Sequence, residues 1–440
     1  MPTTPMQQQI ISDLISTIPP KKKWVAGEDI VQYSGQVFDG KEQAAAIECL
    51  MEGWLALSDR GSKFENKFPD RLGKKRGVLT NSGSSANLLM VETLKSKQGY
   101  GLPQGTKILT PAAGFPTTVN PILQAGFEPI FVDIELDTLN TDYYKFVEEV
   151  DKHKPKVFMF AHALGNAPVL FHQMMKISKR EGMIVLEDCC DALGSTYDSM
   201  PLGSFGAMAS CSFYPAHHIT MGEGGFVACN SIDDMRVLQS LREWGRACYC
   251  FGTKSMCQNG FCGKRFSNWI PEFPNEVFDH KYVYTNIGYN LKPLELQAAI
   301  GLVQLEKLDD FIAIRKRNFN RLVQIFRPFE DCFILPMQST RASPSWFAFP
   351  LTIRPKAPFK RNDIVQWFEN HKIQTRNFFG GNILLQPGYS HLPQAQDAAK
   401  KYPNATYAML NTFFLGVSPV ITDEQIDYIG EVVEEFMRKY

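Results

Sequence analysis

The chain has no surplus charge of either sign. Its 46 Lys and Arg are matched by 46 Asp and Glu in 440 residues, which gives no support to a nucleic-acid partner or to bulk binding at an anionic membrane. It has no apolar run approaching the ~20 residues of a membrane-spanning helix. The opening stretch, MPTTPMQQQIISDLISTIPPKKKW, lacks the charged–apolar–small order of a signal peptide, and its Lys21–Lys23 run comes late, so the cytoplasm is the expected location. Internal repeats and low-complexity segments are absent. Cysteine is modest, ten in all. In a long chain of this kind cysteines are expected as buried small residues, catalytic groups or metal ligands rather than as disulfides. Their spread is uneven: Cys248, Cys250, Cys257 and Cys262 crowd one short stretch.

What is present is the composition of a globular protein, 44% hydrophobic and 21% charged. The length exceeds one ordinary core and implies two domains. Apolar runs at Gly77–Thr80, Lys107–Thr110, Glu128–Val132, Val157–Phe160, Met183–Leu186, Ala207–Phe213 and Gly225–Cys229 read as strands. Helical stretches alternate with them: the one entered at Asn81–Asn87 and running to about Leu94, one after Pro111–Pro116, and Val169–Arg180. An α/β fold follows, with a mostly parallel sheet covered by helices on both faces. Ligands in such sheets bind at the C-terminal strand ends. Lys41–Leu57 also reads as helix. Residues 246–290 break the alternation and are expected to form a long functional loop. Leu291–Phe326 predicts a long helix broken once. Beyond it, Phe347–Ile353 and Ile373–Asn377 read as strands, and Asn362–His371 and Asp423–Arg438 as helices. The expected division is a large domain over 1–316, carrying the N-terminal segment and the loop, and a smaller α+β domain over 317–440.

The chain is organised around Ser212–Gly225, SFYPAHHITMGEGG. It predicts a strand, a tight turn at Pro215, then an exit through Gly222, Gly224 and Gly225, where the backbone can pass close to a ligand. Upstream, the strand ending at Thr80 runs through Asn81-Ser-Gly-Ser-Ser-Ala-Asn87 into a helix. That arrangement offers backbone N–H groups and hydroxyls to a phosphate, although an ordinary capped turn would look the same. The turn resembles the active-site turn of the fold-type I, vitamin B6-dependent sugar aminotransferases of the DegT/DnrJ/EryC1/StrS family, whose frame S-F-x-x-x-K-x-I-T-x-G-E-G-G carries the Schiff-base lysine. Here His217 occupies that position. The resemblance implies a fold-type I architecture and a set of cofactor contacts. Asp188 would pair with the pyridine nitrogen, and Phe115 would stack on the ring. Gly83, Ser84, Ser85 and Ser212 would hold the phosphate. Asn290, in Gly288-Tyr-Asn290 ahead of Pro293-Leu-Glu-Leu-Gln-Ala-Ala, matches a segment that reaches the partner's site in family dimers, so a homodimer is expected.

Imidazole forms no stable imine, so the cofactor would be held non-covalently as pyridoxamine 5′-phosphate (PMP) rather than as the pyridoxal form (PLP). A histidine with a pKa near ~6.5 is suited to move a proton. His217 is the expected catalytic residue, with His218 as the alternative. The substitution resembles a branch of the family, the PMP-dependent 3-dehydratases of nucleotide-linked 4-keto-6-deoxyhexoses. One type uses a GDP-sugar, contains no iron and regenerates its cofactor with glutamate. The other uses a CDP-sugar, carries a [2Fe–2S] cluster on four cysteines and draws electrons from an NADH-dependent flavin/iron–sulfur reductase. The second pattern is matched by Cys190 beside Asp188, by Cys248 after an interval of 57 residues, by Cys250 in C-x-C, and by Cys262 ahead of Gly263-Lys-Arg-Phe266. The eleven residues between Cys250 and Cys262 exceed the resembled spacing and include Cys257, which stands as the substitute fourth ligand. Zinc on the same thiolates and a non-catalytic protein on the same scaffold are the competing readings. The expected activity is C3 dehydration of CDP-4-keto-6-deoxy-D-glucose on the way to 3,6-dideoxyhexoses of lipopolysaccharide.

Overall fold

The computed structural model describes residues 4–20, 22–248 and 265–440. Its centre is a seven-stranded sheet in the order Arg76–Thr80, Gly225–Cys229, Met208–Ser212, Ile184–Asp188, Val157–Ala161, Lys107–Pro111, Glu128–Val132. All neighbours are parallel except Gly225–Cys229, which runs antiparallel to both of its own. The strands are short and apolar on both faces because helices cover both sides. Met208–Ser212 and Gly225–Cys229 are buried at every position. Expectation and structure agree to the residue for Glu128–Val132 and Gly225–Cys229, and within a few residues for the other strands.

Register brings the functional positions to one edge. Gly225 stands opposite both Thr80 and Ser212, while Asp188 lies between Ala161 and Ser210. The C-terminal ends of the parallel strands and the start of the antiparallel one therefore share one rim. Helices Gly83–Lys95 and Pro116–Gln124 begin there.

A second sheet, wholly antiparallel, has the order Phe333–Ile334, Ala348–Ile353, Thr412–Gly416, Arg376–Asn377. Helices Arg361–Asn370 and Asp423–Met437 contribute Ile364, Phe368, Ile426, Ile429 and Val433 to its apolar core. Val31 belongs to that same core and bridges to Ile373. The long helical stretch is broken once, at Lys307, between Glu295–Glu306 and Leu308–Phe326. Lys307 Nζ reaches Asp39 at 2.9 Å and Glu42 at 2.6 Å.

Helices also form where the sequence analysis names none, Tyr143–His153 and Ile232–Arg242 among them. Pro5–Ser16 is helical, started by a Thr4–Gln7 capping box. Asp59–Lys67 is helical as well; its Phe64 is fully buried and stacks on Phe68 at 5.1 Å. In the 246–290 region the described residues contain one short hairpin, Phe266–Ser267 with Phe278–Asp279.

Candidate active site

The rim carries a cavity of about 670 Å³ lined by both sheets and by the turn after Ser212. That turn rests on an aromatic cluster. Phe213 is fully buried and meets Phe64 at 5.3 Å and Phe68 at 5.1 Å, edge to face. Gly222 takes φ +78°, a value that favours glycine. At Gly225 a Cβ would lie 2.2 Å from the Ser82 carbonyl oxygen, so only glycine lets this strand pass the start of helix Gly83–Lys95. The far side of the turn is held by Arg315, fully buried. Its Nη2 donates to the His217 carbonyl at 3.0 Å, and its Nη1 donates to the carbonyls of Phe347 and Trp346 at 3.1 and 3.3 Å.

The start of helix Gly83–Lys95 forms a cradle. Gly83, Ser84 and Ser212 line the cavity together. A Cβ on Gly83 would sit 2.5 Å from Ser212 Cβ and 3.1 Å from Cys190 Sγ, so the closeness of approach demands glycine. Free N–H groups at a helix start beside hydroxyls suit a phosphate. Ser85 is used differently from the sequence expectation. Its N–H donates to the capping Ser82 Oγ at 3.1 Å and its hydroxyl donates to Asn81 Oδ1 at 2.6 Å, and it does not line the cavity.

Asp188 lies on the cavity wall, buried and held from two sides. Oδ2 accepts from Asn87 Nδ2 at 2.7 Å and from Thr118 Oγ1 at 2.8 Å. Oδ1 accepts from the Cys190 N–H at 3.1 Å and, more weakly, from Ser210 Oγ at 3.4 Å. Asn87 is itself fixed, because its Oδ1 accepts from Ser210 Oγ at 2.6 Å. A carboxylate aimed this way, with a fixed orientation, is what a protonated pyridine nitrogen requires. Asn87, Thr118 and Ser210 escape sequence reasoning, although Asn87 stands in the same small-polar turn.

The two histidines separate. His217 lines the cavity, packs at 5.4 Å from Phe347, and places Nδ1 3.5 Å from Asp191 Oδ1 without a hydrogen bond. Burial pushes its pKa down to about 4; Asp188 opposes that shift and Arg315 adds to it. At neutral pH the imidazole is uncharged and can accept a proton. Burial, reinforced by Asp188, pushes the Asp191 carboxyl up to about 7. His218 points away from the cavity and its Nε2 contacts the Ser345 carbonyl at 2.7 Å; this is a structural contact.

Phe115 is 54% exposed on the cavity wall, which excludes core packing. It meets Phe379 edge to face at 6.1 Å. Phe379 holds φ +45°, a conformation unfavourable for a side chain of that size and kept by its surroundings. Asn290 is exposed, pairs with Glu243 and does not line this chain's own cavity. Of the four proposed cluster ligands, Cys190 lines the cavity and Cys248 is partly buried, while Cys250 and Cys262, like Cys257, lie outside the described residues. Burial and the Asp188 carboxylate push the Cys190 thiol well up, so ligation would need the metal itself to favour the thiolate. No lysine lines the cavity among the described residues.

Known proteins resemble this chain over almost its whole length. The chain is 39% identical over 97% of its length to the lipopolysaccharide biosynthesis protein RfbH of Salmonella typhimurium, covering 96% of that protein. It is also 39% identical, over 94% of its length and 88% of the relative, to dTDP-4-dehydro-2,6-dideoxy-D-glucose 3-dehydratase of Saccharopolyspora spinosa. Among solved structures, E. coli GDP-4-keto-6-deoxy-D-mannose-3-dehydratase with bound hydrated PLP superposes with a TM-score of 0.77 at 26% identity, covering 92% of this chain and 100% of that one. Residues 36–434 match a single family. With that match over most of its length, the chain belongs to the DegT/DnrJ/EryC1/StrS aminotransferase family.

Proposed function

We propose that this enzyme removes the C3 hydroxyl of a nucleotide-linked 4-keto-6-deoxyhexose with PMP as cofactor, and that its substrate is CDP-4-keto-6-deoxy-D-glucose. The observation that carries the reading is His217. It occupies the turn where the family has its lysine, it lines the cavity beside the fixed Asp188, and no lysine among the described residues replaces the missing amine. An ordinary transaminase cycle needs that amine; a dehydratase does not.

The residues present fit PMP. Gly83, Ser84 and Ser212 would take its phosphate, Phe115 would flank its ring, and Asp188 would hold the ring nitrogen protonated. When bound, PMP supplies an amine for the C4 ketone and a ring that accepts electrons. With PMP and substrate bound, His217, neutral at rest, would be the group on this wall able to accept a proton and to return one toward the departing C3 oxygen. The turn is stiffened by Arg315 and Phe213, so the imidazole needs little reorganisation.

Replacing the hydroxyl by hydrogen needs two electrons. We assign their entry to a [2Fe–2S] cluster on Cys190, Cys248, Cys250 and Cys262, fed by an NADH-dependent flavin/iron–sulfur reductase. Support comes from the spacing of those cysteines and from the position of Cys190 on the cavity wall two residues from Asp188. We further propose a cytoplasmic homodimer in which the exposed Asn290 serves the neighbouring site, and two domains divided near residue 316. A GDP-sugar enzyme regenerated by glutamate is the second reading, favoured by the structural likeness to the E. coli enzyme.

Iron, acid-labile sulfide and cofactor analysis of freshly purified protein tests the assignment, together with turnover of CDP-, dTDP- and GDP-linked 4-keto-6-deoxyhexoses. Near-stoichiometric iron and sulfide with CDP-sugar turnover are expected. Iron-free protein that turns over a GDP-sugar with glutamate would replace this reading by the second. Zinc in place of iron would remove the electron-transfer role.

A further inference from the structure

The cavity has an imbalance of charge that its cofactor groups do not explain. Asp188, Asp191 and Glu223 all line it, and among the described residues Arg376 is the single Lys or Arg that does. The cradle at Gly83 and Ser212 belongs to the large sheet. Arg376 belongs to the second sheet, on the short edge strand Arg376–Asn377, and so stands on a different wall.

Arg376 is held but not neutralised. Its Cζ lies 4.2 Å from the centre of the Tyr33 ring, a cation–π distance. One Nη1–H donates to the Thr375 carbonyl at 2.7 Å. No carboxylate among the described residues forms an ion pair with it. Tyr33 is itself fixed. Its N–H donates to Gln374 at 3.4 Å, its ring packs on Phe414 at 6.2 Å, and its carbonyl oxygen lies where a Cβ on Gly416 would be, 2.1 Å away. The ring contact and the Thr375 bond restrain the guanidinium, while Arg376 stays exposed on the cavity wall, and a guanidinium so placed suits bidentate contact with a phosphate.

We infer that Arg376, backed by Tyr33, takes the diphosphate of the nucleotide-linked substrate, an inference that rests on the proposed function. A sugar nucleotide brings two negative charges into a cavity already lined by three acids. Arg376 offsets them at the wall opposite in origin to the cofactor cradle, so the two phosphate-bearing molecules are held by different sheets.

The test is equilibrium binding of CDP, dTDP and GDP, without sugar, to full-length protein loaded with PMP, by calorimetry. Wild type, Arg376→Gln and Arg376→Lys are compared, with L-glutamate as a further ligand. Wild type is expected to bind at least one nucleoside diphosphate. Arg376→Gln should weaken that binding by about 10- to 100-fold, the loss expected of a charge-assisted contact. Arg376→Lys should recover part of it, and added salt should weaken wild type more than Arg376→Gln. PMP affinity should be equal in all three, because the cradle lies on the other sheet; this also shows that the variants are folded. Unchanged nucleoside diphosphate affinity in Arg376→Gln would overturn the inference. So would a loss confined to glutamate, which would assign the guanidinium to an amino-acid carboxylate. Failure of wild type to bind any nucleoside diphosphate would instead sink the proposed function, an outcome separate from the behaviour of the variant.

Discussion

Asp188 allows the cofactor role and a purely structural role to be told apart. Asp188→Asn keeps the shape and removes one acceptor. If the amide nitrogen replaces Oδ2, it faces Asn87 Nδ2 at 2.7 Å and Thr118 Oγ1 at 2.8 Å. The threonine hydroxyl can rotate to accept, but Asn87 cannot invert, because its Oδ1 already accepts from Ser210. If the nitrogen replaces Oδ1, the Cys190 N–H loses its acceptor. Either way about one buried donor is left unpaired, at a cost of about 1–3 kcal/mol in stability. That loss is common to both roles. Only the cofactor role adds a second: the ring nitrogen loses a charge-assisted partner worth about 1.5–3 kcal/mol, or about 10- to 100-fold in PMP affinity. The assays are urea unfolding of the cofactor-free protein and PMP titration by absorbance, with exchange of the C4′ hydrogen into deuterated solvent as the measure of ring activation. The expected variant is modestly less stable, binds PMP more weakly and exchanges far more slowly. If stability falls as calculated while PMP affinity and exchange match wild type, Asp188 is a strand-end cap and the cofactor assignment is refuted.

Other outcomes follow from the site and from the proposed cluster. His217→Asn should retain PMP but lose C4′ exchange, whereas His218→Asn should lower stability through its Ser345 contact and leave exchange largely intact; normal exchange in His217→Asn would show that another group is the base. Because burial pushes the His217 pKa down to about 4, its neutral, proton-accepting form persists below the usual histidine range. Exchange in cofactor-saturated protein should therefore be present at pH 7 and 6 and be lost only as pH falls through about 4, and an acid limb centred near ~6.5 would contradict the buried neutral imidazole. Cys248→Ser and Cys250→Ser should lose iron and the 3-deoxy product while keeping reversible C3–O cleavage, read as oxygen exchange with labelled water; 3-deoxy product from iron-free protein would remove the cluster from the reaction.

The large sheet was legible because its strands are continuous apolar runs between turn residues, a pattern that survives without tertiary information. Helix Asp59–Lys67 was not, because most of its side chains are polar and its place in the core rests on Phe64 and its neighbours. Helix Pro5–Ser16 carried a readable start in Thr4 and Gln7, overlooked amid polar residues. Gly83, Ser212, Asp188 and His217, which the structure gathers around one cavity, stand out in the sequence because they sit in short motifs at strand ends. Arg315 and Arg376 could not. Each acts from a distant element, a long charged helix and a two-residue edge strand, and nothing local distinguishes either from a surface arginine. Ser85 shows the opposite failure, a motif residue whose hydroxyl the fold spends on its own helix cap.

The Arg315 clamp also bears on how a proton behaves once His217 has it. A buried guanidinium lies behind the turn, bonded to three backbone carbonyls, and opposes a second positive charge at 217. Burial first, with Arg315 in addition, disfavours the imidazolium, so under the proposed mechanism a proton taken up at 217 would be released readily to an acceptor within reach. A resting site of this polarity works as a relay, not a reservoir.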